Sequence, residues 1–210
     1  RQQNVSLFGD TNLGGGLIDE RILAHALAAS KDGKALRAVF AESPAWRSYC
    51  ELEARRLKES YFLDEGKWAD APLTRTLTVC YDEPLALELS IGGASIRGMV
   101  EEPIAALGGR SFVGCLQDAL RAAVEVSREC PPEVVILTGG ASRMAFFQQA
   151  CREAFADALV VLCPEPECSI ARGLAYAGRV DERLSLFRRE VASIAHGEKL
   201  SVAVNASAHE

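Results

Sequence analysis

The chain lacks any apolar run approaching the roughly 18 residues that a membrane-spanning helix needs, and no basic stretch followed by an apolar one opens it as a secretory signal would. It lacks a basic surplus. Its 23 Lys and Arg face 29 Asp and Glu, a net charge of -6, which argues against a general nucleic-acid binder. No two cysteines are spaced CxxC. Only three histidines are present to complete a zinc set, so no metal site is expected. The seven cysteines, Cys50, Cys80, Cys115, Cys130, Cys151, Cys163 and Cys168, are odd in number and irregular in spacing. They read as small hydrophobes of a reducing cytosol. The expected location is therefore cytoplasmic, with neither nucleic acid nor membrane as a partner. No fixed-period repeat and no low-complexity tract occurs. The first residue is Arg1 rather than Met, as in a piece cut from a longer protein.

An apolar share of 49% over 210 residues fits one large domain or two small lobes. The glycine loop at Gly14–Gly16 follows a short strand and precedes a helix with Leu17, Ile18, Ile22, Leu23, Ala26 and Leu27 at helical spacing. A second helix runs over residues 44–63, with Ser43 as cap and Pro44 in its first turn. Alternating residues on either side of Asp82-Glu83-Pro84 predict a β-hairpin. The segment 93–130 predicts two helical stretches joined at Gly108-Gly109, the first kinked by Pro103. Then come a strand at 133–138, a helix, a strand at 158–163 and a long helix. The near-continuous apolar runs at 134–137 and 159–162 fit strands buried on both faces of a parallel sheet. From His196 onward the tail is expected to be loosely ordered.

Three segments carry chemistry. In "TGGASRM", Gly139 and Gly140 follow a strand, where α/β sheets bind ligands. Without side chains there, a ring or phosphate can approach the backbone. The next helix offers its first N–H groups to an anion, and Arg143 can lay its guanidinium on an aromatic face. The segment is not GxGxxG, and it also reads as a plain turn. In "FGDTNLGGGLID", a glycine loop before a helix can wrap phosphates, although it is not GxxxxGK[ST]; a simple flexible turn has the same appearance. In "ELEARRLKES", Glu53, Arg56, Leu57 and Ser60 share one helical face. They supply a carboxylate for ribose hydroxyls, an apolar platform for a base and a hydroxyl for its edge. The same residues also describe a solvated helix with an ion pair worth ~0.3–0.5 kcal/mol.

Taken together and in this order, "GDTNLGG", "ELEARRLKES", "VVILTGGASRM" and "PEPECSIARGLAYAG" resemble the second half of the nucleotide-binding domain of DnaK-type heat-shock chaperones, in the actin-like ATPase superfamily. The resemblance spans roughly residues 5 to 180. It implies an α/β fold of the ribonuclease H-like kind, a mixed sheet flanked by helices with a smaller α+β subdomain. Residues 1–30 and 100–196 would form the α/β part, 31–99 the insert, and 197–210 a tail. It implies ATP or ADP as ligand. Gly14 and Gly15 would approach phosphates, and Glu53 and Arg56 would hold ribose hydroxyls. Leu57 and Arg143 would sandwich the adenine, with Ser60 at its edge. Gly139, Gly140 and Ala141 would line the phosphate and ribose side, and Glu167 would match an acidic position near the base. The chain departs from the family pattern in three ways. Asn12 stands where a histidine is usual, Ala141 where a serine is usual, and "GGLID" lacks the acidic residues that usually follow the glycine pair.

The family's catalytic groups lie mainly in its first lobe, and no "DLGGGT"-like segment, lysine or magnesium-binding aspartate set matching them is found here. The resemblance thus implies a lobe that binds nucleotide without hydrolysing it. Magnesium would come with the first lobe of the same parent chain, and a co-chaperone or nucleotide-exchange factor would be among the partners. No acidic, leucine-rich linker follows residue 180, as expected of a truncated or divergent relative. Two alternatives stand beside it. One is an actin-like filament protein or sugar-kinase relative on the same fold. The other is a degenerate ATPase lobe serving as a protein-interaction scaffold.

Overall fold

The computed structural model describes residues 12–195. The short strand expected before the glycine loop, the first residues of that loop and the tail from His196 lie outside the described residues. Two compact units divide the chain, residues 1–166 and 167–210.

The first unit is built around one helix pair and a hairpin. Helix α1, Gly16–Ala29, buries Ile18, Ile22, Leu23, Ala26 and Leu27, the apolar stripe that its spacing predicts. Helix α2, Gly33–Glu42, was not anticipated. It is short, and its stripe is only Leu36, Val39 and Phe40. A Cβ at Gly33 would collide with the Leu27 carbonyl oxygen, so glycine lets the chain fold back against the end of α1. Helix α3, Pro44–Leu63, opens with Pro44 as expected, but the Ser43 side chain makes no capping bond. It buries Cys50, Ala54, Leu57, Tyr61 and Phe62.

Strands β1, Leu73–Cys80, and β2, Pro84–Ile91, form the predicted antiparallel hairpin, with Leu77 opposite Leu87 and Cys80 opposite Pro84. Leu77, Val79, Leu87, Leu89 and Ile91 share its buried face, which packs on α1 and α3. Helix α4, Gly93–Glu101, then ends before Pro103. The expected kinked helix does not form. Glu102 is extended, with ψ 146°, as the residue before proline prefers. Pro103–Ile104 (β3) and Arg110–Ser111 (β4) pair around a turn instead. Gly108 and Gly109 supply its left-handed backbone, φ 65° and 80°. Ser111 caps α5, Phe112–Val126, its hydroxyl accepting from the Gly114 N–H at 3.0 Å.

Strand β5, Val134–Leu137, runs parallel to β6, Leu159–Leu162, across helix α6, Ala145–Ala154. This is the predicted β-turn-α-β order. Two expectations fail. Among the described residues the strands pair only two by two, in three separate sheets, so the expected mixed sheet is not present. The strands at 134–137 and 159–162 are not buried on both faces: Ile136 is 63% and Leu159 64% exposed. A two-stranded ribbon has too few neighbours to be enclosed, whatever its composition.

One cluster of buried residues extends from Ile18 through the hairpin to Phe112, Cys115 and Met144. It draws on both of the expected subdomains, because α1 packs against α3 and β2. The second unit carries helix α7, Ser169–Ala195. No described helix is long and apolar enough to cross a membrane.

Candidate functional site

The three chemistry-bearing segments meet at Gly15. A Cβ on Gly15 would lie 3.2 Å from Lys58 Nζ on α3 and 3.9 Å from Met144 Cε, at the end of the glycine turn. The 3₁₀ turn over Gly140–Arg143 packs on α3. Among the described residues no atom comes within 4 Å of where a Cβ on Gly14 or Gly16 would stand, so they leave the outer side of this turn as open backbone.

Beneath the turn sits a buried ion pair that spacing did not reveal. Lys58 Nζ donates to the Gly15 carbonyl at 2.7 Å and lies 2.5 Å from Asp19 Oδ1. Arg55 Nε reaches the same carboxylate at 3.4 Å. These contacts turn the face of α3 bearing Arg55 and Lys58 toward α1. A cleft of about 300 Å³ opens there, lined by Gly16, Asp19, Ser48, Glu51, Leu52 and Arg55 among others. Glu51 accepts from Arg47 Nε at 2.7 Å. The visible signal was the i, i+4, i+7 spacing of Glu51, Arg55 and Lys58, one step around the helix from the face chosen on sequence.

That chosen face looks elsewhere. Both Glu53 oxygens are taken: Oε1 accepts from Arg56 Nη1 at 2.5 Å and Oε2 from Arg75 Nη1 on β1. The Glu53 side chain is only 7% exposed, so the carboxylate fastens α3 to the hairpin and offers little accessible surface to a ribose. Burial works to raise its pKa, but the bonds from Arg75 and Arg56 outweigh that and hold it below the ordinary value. Leu57 is 1% exposed and belongs to the core. It offers no face to a base, because its neighbours already enclose it. Arg56 and Ser60 are exposed. The Ser60 hydroxyl donates to the Arg56 carbonyl at 2.8 Å.

The glycine turn is tightly braced. Gly139 has φ 81°, a conformation that side chains resist. Its N–H donates to the Pro166 carbonyl at 2.6 Å, and its carbonyl accepts from the Ser142 hydroxyl at 2.7 Å. The Gln148 amide donates to the Ser142 carbonyl at 3.0 Å. Ala141 packs against the core, half-buried, as is Arg143. Among the described residues nothing stands within 4 Å of a Cβ built on Gly139 or Gly140. The anion site expected at the start of α6 is already filled by the protein's own carboxylate: Glu65 Oε1 accepts from the Ala145 N–H at 3.1 Å. Glu167 is exposed and belongs to the second unit.

A second, larger groove of about 670 Å³ lies between α5 and α6, over Leu120, Val124, Ala150 and Ala154. Neither cavity is lined by Glu53, Arg56, Ser60 or Arg143. Among the described residues no group of three or more His, Cys, Asp or Glu side chains is placed to hold a metal ion. Compared with protein-family models, curated proteins and solved structures, the chain finds no match.

Proposed function

We propose that this chain is the adenosine-nucleotide-binding half of a DnaK-like ATPase and does not hydrolyse ATP by itself. One observation carries the proposal: Gly15, Lys58 and Met144, from the three segments of the resemblance, lie within 4 Å of one point. The open backbone at Gly14 and Gly16 suits a phosphate chain. The cleft beside it, about 300 Å³, is at the lower end for small-molecule sites, which suits a nucleoside. In this arrangement Glu51 takes the ribose role expected of Glu53, and Arg55 stacks on the base where Leu57 cannot. Magnesium and the water-activating groups belong to a first lobe of the parent chain. That lobe is the principal partner, and a co-chaperone or exchange factor acts on the assembled pair in the cytoplasm.

A second function, a scaffold lobe that binds protein rather than nucleotide, is favoured by the way the chain answers its own polar groups. Glu65 occupies the α6 N-terminus, and Arg56 and Arg75 occupy Glu53.

Ligand-observed NMR of the 210-residue chain with ATP and adenosine separates the two. Binding of both, weakened severalfold by Arg55→Ala, is the expected outcome, from a cation–π contact of ~0.5–1 kcal/mol. No binding at millimolar ligand refutes the nucleotide function and leaves the scaffold. A phosphate-release assay should stay at background, and turnover above it would refute the non-hydrolysing half of the proposal.

A further inference from the structure

We infer that Lys58 is a positioning residue for nucleotide phosphates at the Gly14–Gly16 turn, acting through two partners rather than by touching the ligand. The inference rests on the nucleotide site proposed above.

Its ammonium is enclosed. The Lys58 side chain is 9% exposed and that of Asp19 6%, a degree of burial that lysine and aspartate tolerate only when paired. The first partner is the Gly15 carbonyl, at 2.7 Å. That bond ties the turn to α3, a 20-residue helix anchored in the core, and so fixes where the backbone of the turn presents itself. Gly15 has little latitude, since a Cβ there would press on Nζ at 3.2 Å.

The second partner is Asp19, in the first turn of α1. A carboxylate there reinforces the helix but opposes any anion brought to the turn above it. Lys58 cancels that charge from inside the fold. Arg55 adds to the cancellation at 3.4 Å, but its side chain is more than half exposed and screened by water. The buried lysine is therefore the principal counter-charge. Without it, an unbalanced carboxylate faces the phosphate chain, while an uncharged nucleoside in the cleft is little affected.

The discriminating readout is the ratio of ATP to adenosine affinity, measured by ligand-observed NMR on the full 210-residue chain. Wild type should bind ATP more tightly than adenosine. Lys58→Met should weaken ATP about tenfold and leave adenosine within about twofold. Asp19→Asn placed in the Lys58→Met background should restore most of the ATP affinity, because the repelling charge is gone. Lys58→Arg should keep the wild-type ratio. A purely structural lysine would lower both ligands together, in step with the melting temperature. Should Lys58→Met be too unstable to measure, Asp19→Asn alone carries the test, since the unopposed lysine should raise the ratio of ATP to adenosine affinity. An unchanged ratio in Lys58→Met or, where that is unmeasurable, in Asp19→Asn, or equal ATP and adenosine affinity in wild type, overturns this inference alone. Failure of wild type to bind either ligand overturns the nucleotide function beneath it as well.

Discussion

Leu57→Ala separates a core residue from a ligand platform. At 1% exposure, Leu57 loses its last three side-chain carbons from a position with no access to water. Transfer of those carbons is worth about 2.4 kcal/mol, at about 0.8 kcal/mol for each buried methylene equivalent. The space left among Ala54, Tyr61 and the other core residues adds a cavity term, which brings the loss to about 3–4 kcal/mol. For a chain of this size each kcal/mol moves Tm by about 2–4 °C, so differential scanning fluorimetry should register a fall of about 6–16 °C. Leu63, 70% exposed at the end of the same helix, is the control, and Leu63→Ala should move Tm by no more than a degree or two. A base platform behaves in the opposite way. Its truncation leaves the empty protein as stable as before and weakens only the nucleotide. An unchanged Tm for Leu57→Ala together with weaker ATP binding would refute the packing described for α3 and restore the face read from sequence.

Glu53 makes stability depend on acid. Its folded pKa lies below the ordinary value of 4.5, the bonds from Arg75 and Arg56 overcoming a burial effect that alone would raise it. The stabilisation is therefore complete above about 4.5 and is lost as pH falls through the lower folded value. Urea unfolding midpoints should drop across that interval in wild type and less steeply in Glu53→Gln; equal slopes would show that the pairs with Arg56 and Arg75 are not formed. The thiols report the fold directly. Cys80, Cys130 and Cys168 are exposed and should label promptly with a disulfide reagent at pH 8, whereas Cys50, Cys115 and Cys151 are buried and should label only on unfolding. Burial, helped by Glu51 and Glu53, pushes the Cys50 thiol up to about 11, so it remains protonated and inert. Prompt labelling of Cys50 in native buffer would contradict the core.

Where a pattern is carried by near neighbours, the sequence sufficed. The stripe from Ile18 to Leu27, Pro44 at the start of α3, and the alternation across 73–91 are local periodicities, and each became the expected element. The glycine turn between β5 and α6 was legible for the same reason. Two local features were misread. The span from Pro103 to Ser111 looked helical because Ala105 and Ala106 are strong helix formers, while Pro103 and the Gly108-Gly109 pair were already enough to fold it back. Helix α2 escaped notice because three apolar residues make a weak stripe.

By itself, the sequence determined which residues of α3 share a face: Glu53 with Arg56, Leu57 and Ser60, and Glu51 with Arg55 and Lys58. It could not determine which of those faces meets α1, which meets the hairpin and which meets water. Both mix charge with carbon, so the hydrophobic pattern does not rank them. Tertiary structure made that choice through partners distant along the chain, Asp19 for Lys58, Arg75 for Glu53 and Glu65 for the Ala145 N–H. A charge buried with a partner is stable and one buried without it is not; the pairing, formed only when the helices and the hairpin come together, decides which side of the helix is left to bind anything else.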